Sequence, residues 1–137
     1  LNREVTRSRQ HFLKVVFPYT YRNLIDIDIT EDYSMGYASE PGFRASICSP
    51  FYFYDLDMET QTKLRVFPFA VMERTLKEYM KLSPEEAIAT ACRLADEVRQ
   101  LDGLFISLWH NDTLHEQGEW KGWKNVYEEV VAYASRK

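Results

Sequence analysis

Three histidines, two cysteines and a scatter of arginines and carboxylates are the side chains of this 137-residue chain that could move protons, attack carbonyls or hold a metal. His110 has the most telling position. It follows LFISLW at residues 104–109, a continuous apolar run of the length and type of a buried parallel strand. In α/β folds ligands sit beyond the carboxyl ends of such strands, and an imidazole that titrates near neutrality suits general acid or base work there. A histidine bonded to backbone at a strand end explains the position equally well. HNDTLH at residues 110–115 also offers His110, Asp112 and His115 as metal ligands, but their spacing departs from the i, i+4 pair of a helical zinc site. Arg9 and His11 flank Gln10 ahead of an apolar segment, and Arg44 stands in GFR at residues 42–44. An arginine near a strand end can keep a neighbouring carboxylate ionised. Asp32, in DYS at residues 32–34, could orient a histidine as a triad carboxylate does, or serve a turn. Taken singly, each arginine reads as structural, and the two roles of Asp32 stand equal. No G-x-S-x-G elbow, Gly-rich phosphate loop or C-x-x-C occurs, so serine-hydrolase, nucleotide-binding and zinc-knuckle or redox readings lack support.

The elements that must position these residues follow from periodicity and punctuation. Residues 11–17 (HFLKVVF), stopped by Pro18, read as a strand buried on both faces, and residues 19–27 as a short helix. Residues 32–42 read as a short strand running into a loop, and residues 42–57 as an irregular strand-loop-strand broken by Pro50. TKLRVF at residues 62–67 alternates as a half-buried strand, and residues 71–80 carry apolar positions at helical spacing. Ser83-Pro84-Glu85-Glu86 is a capping box with proline at the first helical position. The helix it opens places Ile88, Ala91, Ala95 and Val98 on one face and stops at Gly103. A last helix is expected over residues 124–135, with Val126, Tyr127, Val130, Val131 and Ala134 in register. Capped helix, tight turn, buried strand and helix in succession predict an α/β fold with mainly parallel strands.

The length is one domain's worth, and no repeat or linker divides it, so residues 1–137 read as a single unit. A net charge of −4 argues against a general nucleic-acid binder. Within that balance Arg3, Arg7, Arg9, Lys14 and Arg22 crowd the first 22 residues against Glu4 alone, which reads as a basic surface patch. No stretch reaches the ~18 apolar residues of a membrane span, and the start at Leu1 has neither Met nor an apolar signal core. Cys48 and Cys92 are isolated and read as buried free thiols, which fits a reducing, cytoplasmic setting. Aromatic residues make up 15% of the chain, enough to build a large core or to line a sugar site.

RQHFL at residues 9–13, DYSMGY at 32–37, GFR at 42–44, PF at 50–51 and 68–69, and LWH at 108–110 occur in an order that resembles the C-terminal half of a polysaccharide deacetylase (NodB-like, carbohydrate esterase family 4) domain. The resemblance spans nearly the whole chain, each motif being short. It implies the C-terminal part of a distorted (β/α) barrel and a hydrolase that removes N-acetyl or O-acetyl groups from a glycan. It also implies a divalent metal, zinc in most of the family, as Lewis acid in the complete domain. By resemblance His110 is the general acid for the leaving amine, Leu108 lines the acetyl pocket beside Trp109, and Arg9 pairs with the base aspartate. Phe12 matches the aromatic position whose backbone N–H holds the oxyanion, and Asp32 the carboxylate that tunes the histidine. Arg44 is placed at the substrate. His11 stands where the family has proline. The family's Asp-Asp and His-x-x-x-His motifs would precede the matching region, and neither occurs here. The metal ligands are therefore expected upstream, and the segment by itself is expected to be inactive.

Two other expectations come from different classes. One is a non-catalytic carbohydrate-binding or structural module, with Phe51-Tyr52-Phe53-Tyr54, Trp120 and Trp123 as sugar platforms. The other is self-association through the uncovered edges of an incomplete barrel.

Overall fold

The computed structural model describes residues 4–136, so Leu1 and Arg3 of the expectations above lie outside the described residues. The chain is mixed α/β with mostly parallel strand pairing. Strand β1 (Arg7–Ser8) leads through helix α1 (Tyr19–Asp26) to β2 (Glu31–Asp32), its parallel neighbour. Strand β3 (Phe51–Asp55) turns back antiparallel into β4 (Thr60–Val66), which lies parallel to β2, giving the order β1-β2-β4-β3. Strand β5 (Val71–Met72) leads through α2 (Pro84–Gln100) to β6 (Ser107–Leu108), again a parallel pair, and α3 (Trp123–Ala134) closes the fold. The alternating expectation for β4 holds, with Leu64 and Val66 fully buried and Lys63 and Arg65 outside.

Packing explains why these short strands persist. Tyr21 and Leu24 of α1 bury against Phe53, Leu64 and Val66 of the β3–β4 hairpin. A second cluster joins Ala87 and Ala91 of α2 to Trp123, Val126 and Val130 of α3 and to Val71 of β5. Each buried valine there contributes roughly 1.5 kcal/mol or more. Between the two lies a third cluster of Phe69, Met72 and Leu108, with Leu13 and Ile106 packed on it. Gly36 is pressed against Phe69 so closely that a Cβ would lie 2.2 Å from the ring.

Helix α2 begins as its sequence requires. The Ser83 side chain accepts from the Glu86 N–H, and the Glu86 carboxylate accepts from the Ser83 N–H. Its inner face is Ala87, Ala91, Ala95 and Val98, with Ile88 only half-buried. The left-handed residue at its end is Asp102 and not Gly103, which is needed for proximity: a Cβ there would lie 2.3 Å from Cys48 Sγ.

Three expectations change. Residues 11–17 are not a strand: His11–Leu13 form a turn with Phe12 and Leu13 at positive φ, and Phe12, Val16 and Phe17 are exposed. The pairing falls four residues earlier, at Arg7–Ser8, where the sequence is polar. The expected helix over residues 71–80 opens as β5 and becomes helical only from Glu73, with a π-helical turn at Thr75–Tyr79. The apolar run at residues 104–109 contributes only Ser107–Leu108 to regular pairing, with β5 as its one partner among the described residues, so it is not a central strand.

Candidate functional site

Strands β5 and β6 run side by side, with Val71 opposite Ser107 and Met72 opposite Leu108. Their carboxyl ends therefore deliver Glu73 and His110 to the same place. The His110 Nδ1 lies 2.6 Å from Glu73 Oε1, and the same oxygen accepts from the His110 backbone N–H at 3.1 Å; the Thr113 hydroxyl, 3.3 Å away, gives its one hydrogen to the nearer His110 carbonyl at 2.7 Å. Glu73 is 1% exposed, and its second oxygen, Oε2, is buried without a partner. The His110 side chain is 42% exposed. An ionised carboxylate only accepts hydrogen bonds, so it places the imidazole proton on Nδ1 and leaves Nε2 for a ligand.

Arg74 braces the pair from outside. Its guanidinium bonds Glu78 and Asp112 and lies 4.0 Å from Glu73 Oε1. It also sits over the Trp120 ring at 5.4 Å, with Lys77 over the same ring at 5.3 Å. The loop that carries His110 is thus fastened to the turn that carries Glu73.

His110, Leu108 and Trp109 form one wall of a cleft of about 760 Å³, within the range of small-ligand sites. Arg9, His11, Phe12 and Leu13 form a second wall of the same cleft, and Met72, Arg74 and Tyr79 line it as well. The second wall is a strained one: Phe12 and Leu13 sit at φ +56° and +53°, a conformation that costs non-glycine residues on the order of 1 kcal/mol or more each. The Phe12 ring projects 86% exposed beside the His11 ring, centroids 4.1 Å apart. Trp109 is anchored by its indole N–H on the Ser107 hydroxyl and by an edge contact with Tyr127.

Of the residues singled out in the sequence, the cleft brings together His110, Leu108, Trp109, Arg9 and Phe12. It does not include Asp32 or Arg44. Asp32 does not orient His110; that place belongs to Glu73. The Asp32 carboxylate is buried at the end of β2 and accepts from the Ser34 N–H at 2.9 Å and the Ser34 hydroxyl at 2.8 Å. Burial pushes its carboxyl above the ordinary carboxylate range, with the Ser34 bonds, Tyr21 and Arg9 pulling the other way. Arg44 lies away from the cleft, where its charge slightly opposes the effect of burial on the Tyr21 phenol.

The sequence did hold a signal for Glu73. PFAVME at residues 68–73 ends an apolar run in a charged residue just as LFISLWH does, but helical spacing over residues 71–80 masked it. Asp112 points to Arg74, and His115 accepts from the Gln117 N–H, so neither joins His110. No three His, Cys, Asp or Glu side chains converge on a point among the described residues. Searches of protein-family models, of curated proteins and of solved structures return no match to this chain.

Proposed function

We propose that this chain supplies the acid-histidine side of a hydrolytic site that removes acetyl groups from a glycan, as the C-terminal part of a NodB-like polysaccharide deacetylase barrel. The observation that carries the proposal is the pairing of His110 with the buried Glu73 at the ends of adjacent parallel strands, open to a cleft. A histidine held at Nδ1 by a carboxylate is oriented to give and take a proton at Nε2, the work needed at a leaving amine. Parallel pairing of β1, β2 and β4 and of β5 with β6 is compatible with a barrel segment. Arg9, on the second wall, leaves a cation for a carboxylate, and Leu108 and Met72 give an apolar floor on which an acetyl methyl could rest.

The family's metal does not fit the residues at hand. The described residues offer no converging set of donors, so no step through a metal is derived from them. The proton-transfer, orienting and substrate-lining roles are those this chain can fill. Two unpaired cysteines fit the proposed cytoplasmic setting, and no helix of the described residues is long and apolar enough to cross a membrane.

The non-catalytic module is the weaker reading. Trp123 is 2% exposed inside the α2–α3 core, and the Trp120 ring is covered by Arg74 and Lys77, so neither offers a free platform. Only Tyr52 and Tyr54 of the aromatic run on β3 face solvent. Self-association has no observation in its favour.

Chitotetraose titration followed by tryptophan fluorescence tests the proposal. Binding that falls tenfold or more in Phe12→Ala, with His110→Ala altering the quench of Trp109, is expected. Binding indifferent to both and lost in Tyr54→Ala would move the site off the cleft and sink the proposal.

A further inference from the structure

The cleft's strained wall needs something to hold it, and the contacts at its base lead to one buried carboxylate. The Gln10 N–H donates to the Ser34 hydroxyl oxygen at 2.8 Å, and that hydroxyl donates to Asp32 Oδ2 at 2.8 Å. Ser34 and Asp32 are both fully buried. One residue before Gln10, Arg9 Nε donates to the Tyr33 carbonyl at 3.2 Å, and the Tyr33 N–H returns a bond to the Ser8 carbonyl. Phe12 and Leu13, the two residues at positive φ, follow directly. We propose that Asp32, acting through Ser34, is the positioning residue that holds the turn at residues 9–13 in place as a wall of the cleft that His110 also lines. The relay stands on this geometry alone; that the wall it sets belongs to a glycan cleft rests on the function proposed above.

The direction of the bonds makes the relay sensitive to one proton. An ionised carboxylate cannot donate, so the Ser34 hydroxyl must give its hydrogen to Asp32 and turn its lone pairs to Gln10. A protonated carboxyl can donate to Ser34 instead; the hydroxyl oxygen keeps a lone pair for the Gln10 N–H, but its own hydrogen loses the Asp32 acceptor and is left in the interior without that partner, which loosens the relay. The charged and titratable groups facing Asp32 are Arg9 from the turn itself and Tyr21 from α1, with Arg44 beyond Tyr21; β1 and β4 meet it with Ser8 and Val66. Tyr21 approaches without making a regular hydrogen bond. Burial is the largest influence on the carboxyl and raises its pKa, with the Ser34 bonds, Tyr21 and Arg9 opposing it.

Hydrogen exchange of the Gln10 amide in the whole ¹⁵N-labelled chain, expressed as a protection factor, reads the relay directly. The wild type should lose protection about tenfold as pH falls through the raised pKa of the Asp32 carboxyl. Asp32→Asn, which can donate as the protonated acid does, should show the low value at every pH. Ser34→Ala should lose the protection while remaining folded by circular dichroism, and Ser34→Thr, which keeps the hydroxyl, should restore it. A folded Ser34→Ala with unchanged protection, or a pH step persisting in Asp32→Asn, would overturn the relay. Should Asp32→Asn fail to fold, the two Ser34 variants decide alone. If chitotetraose fails to bind the wild type while the amide behaves as expected, the glycan reading falls and the relay stands.

Discussion

Glu73 concentrates both of its hydrogen bonds from His110 on one oxygen and leaves the other bare in the interior. Such an arrangement is costly to keep unless the bonded oxygen's orientation matters, because a buried polar atom without a partner loses its hydration for nothing. Glu73→Gln preserves the volume and replaces an acceptor by an amide that must either donate or accept at each atom. We expect it to lower unfolding free energy by roughly 1–3 kcal/mol in denaturant titration. We also expect it to change the ¹⁵N signal of His110 Nδ1, with the ring no longer held to one tautomer. An unchanged Nδ1 signal would mean that the carboxylate does not orient the ring. His110 was legible in the sequence because an apolar run pointed at it. Glu73 was not, because strand β5 has two residues and the helix after it begins at once, so periodicity blended the two.

Helix α2 was legible to the residue at its start, because capping is local chemistry: Ser83, Pro84 and Glu86 satisfy their own backbone groups whatever the rest of the chain does. Removing the hydroxyl in Ser83→Ala should cost about 1 kcal/mol, read as a fall in Tm of roughly 4 °C. The Ser83 backbone N–H, and then its side chain, hold the Glu86 carboxyl below the ordinary range. A carboxyl depressed in the fold stabilises above its ordinary pKa, and the benefit fades as pH falls through the depressed value. Glu86→Gln should therefore lower Tm at neutral pH and converge on the wild type in acid; a Tm gap independent of pH would contradict this. The strands were harder to place. Residues 11–17 had strand composition, yet they pack against too little to be buried, whereas Arg7–Ser8 pairs because it lies beside β2. Strand position here is set by tertiary contact that local composition does not encode.

At the scale of the molecule, one cluster joins α1 to the four-stranded sheet and another joins the last two helices to β5, with Phe69, Met72 and Leu108 between them. The Phe69 ring, 1% exposed and pressed on Gly36, is the hinge-pin of that middle layer, and the cleft floor rests on it. Phe69→Ala should cost about 3–5 kcal/mol and release the near-ultraviolet signal of Trp109 as the floor loosens. A loss below 1 kcal/mol would show that the two larger clusters are braced elsewhere. Mixed α/β class and mostly parallel pairing were legible from the succession of elements, since a helix between two apolar runs leaves few other arrangements. The shortness of the paired segments was not, because pairing length depends on how far two strands run together before their loops part.

The contact between Gly103 and Cys48 has a use beyond packing. The sulfur lies where only a hydrogen fits opposite it, and Cys48 is otherwise nearly buried, so loosening of the turn from α2 to β6 should speed its reaction with an alkylating reagent. Cys92, on the outer part of α2, is partly accessible, its thiol pushed up by burial and by Asp96. The unmodified chain thus carries two reporters of its own: one thiol senses contact with solvent, and the other senses loosening of the turn that leads into β6.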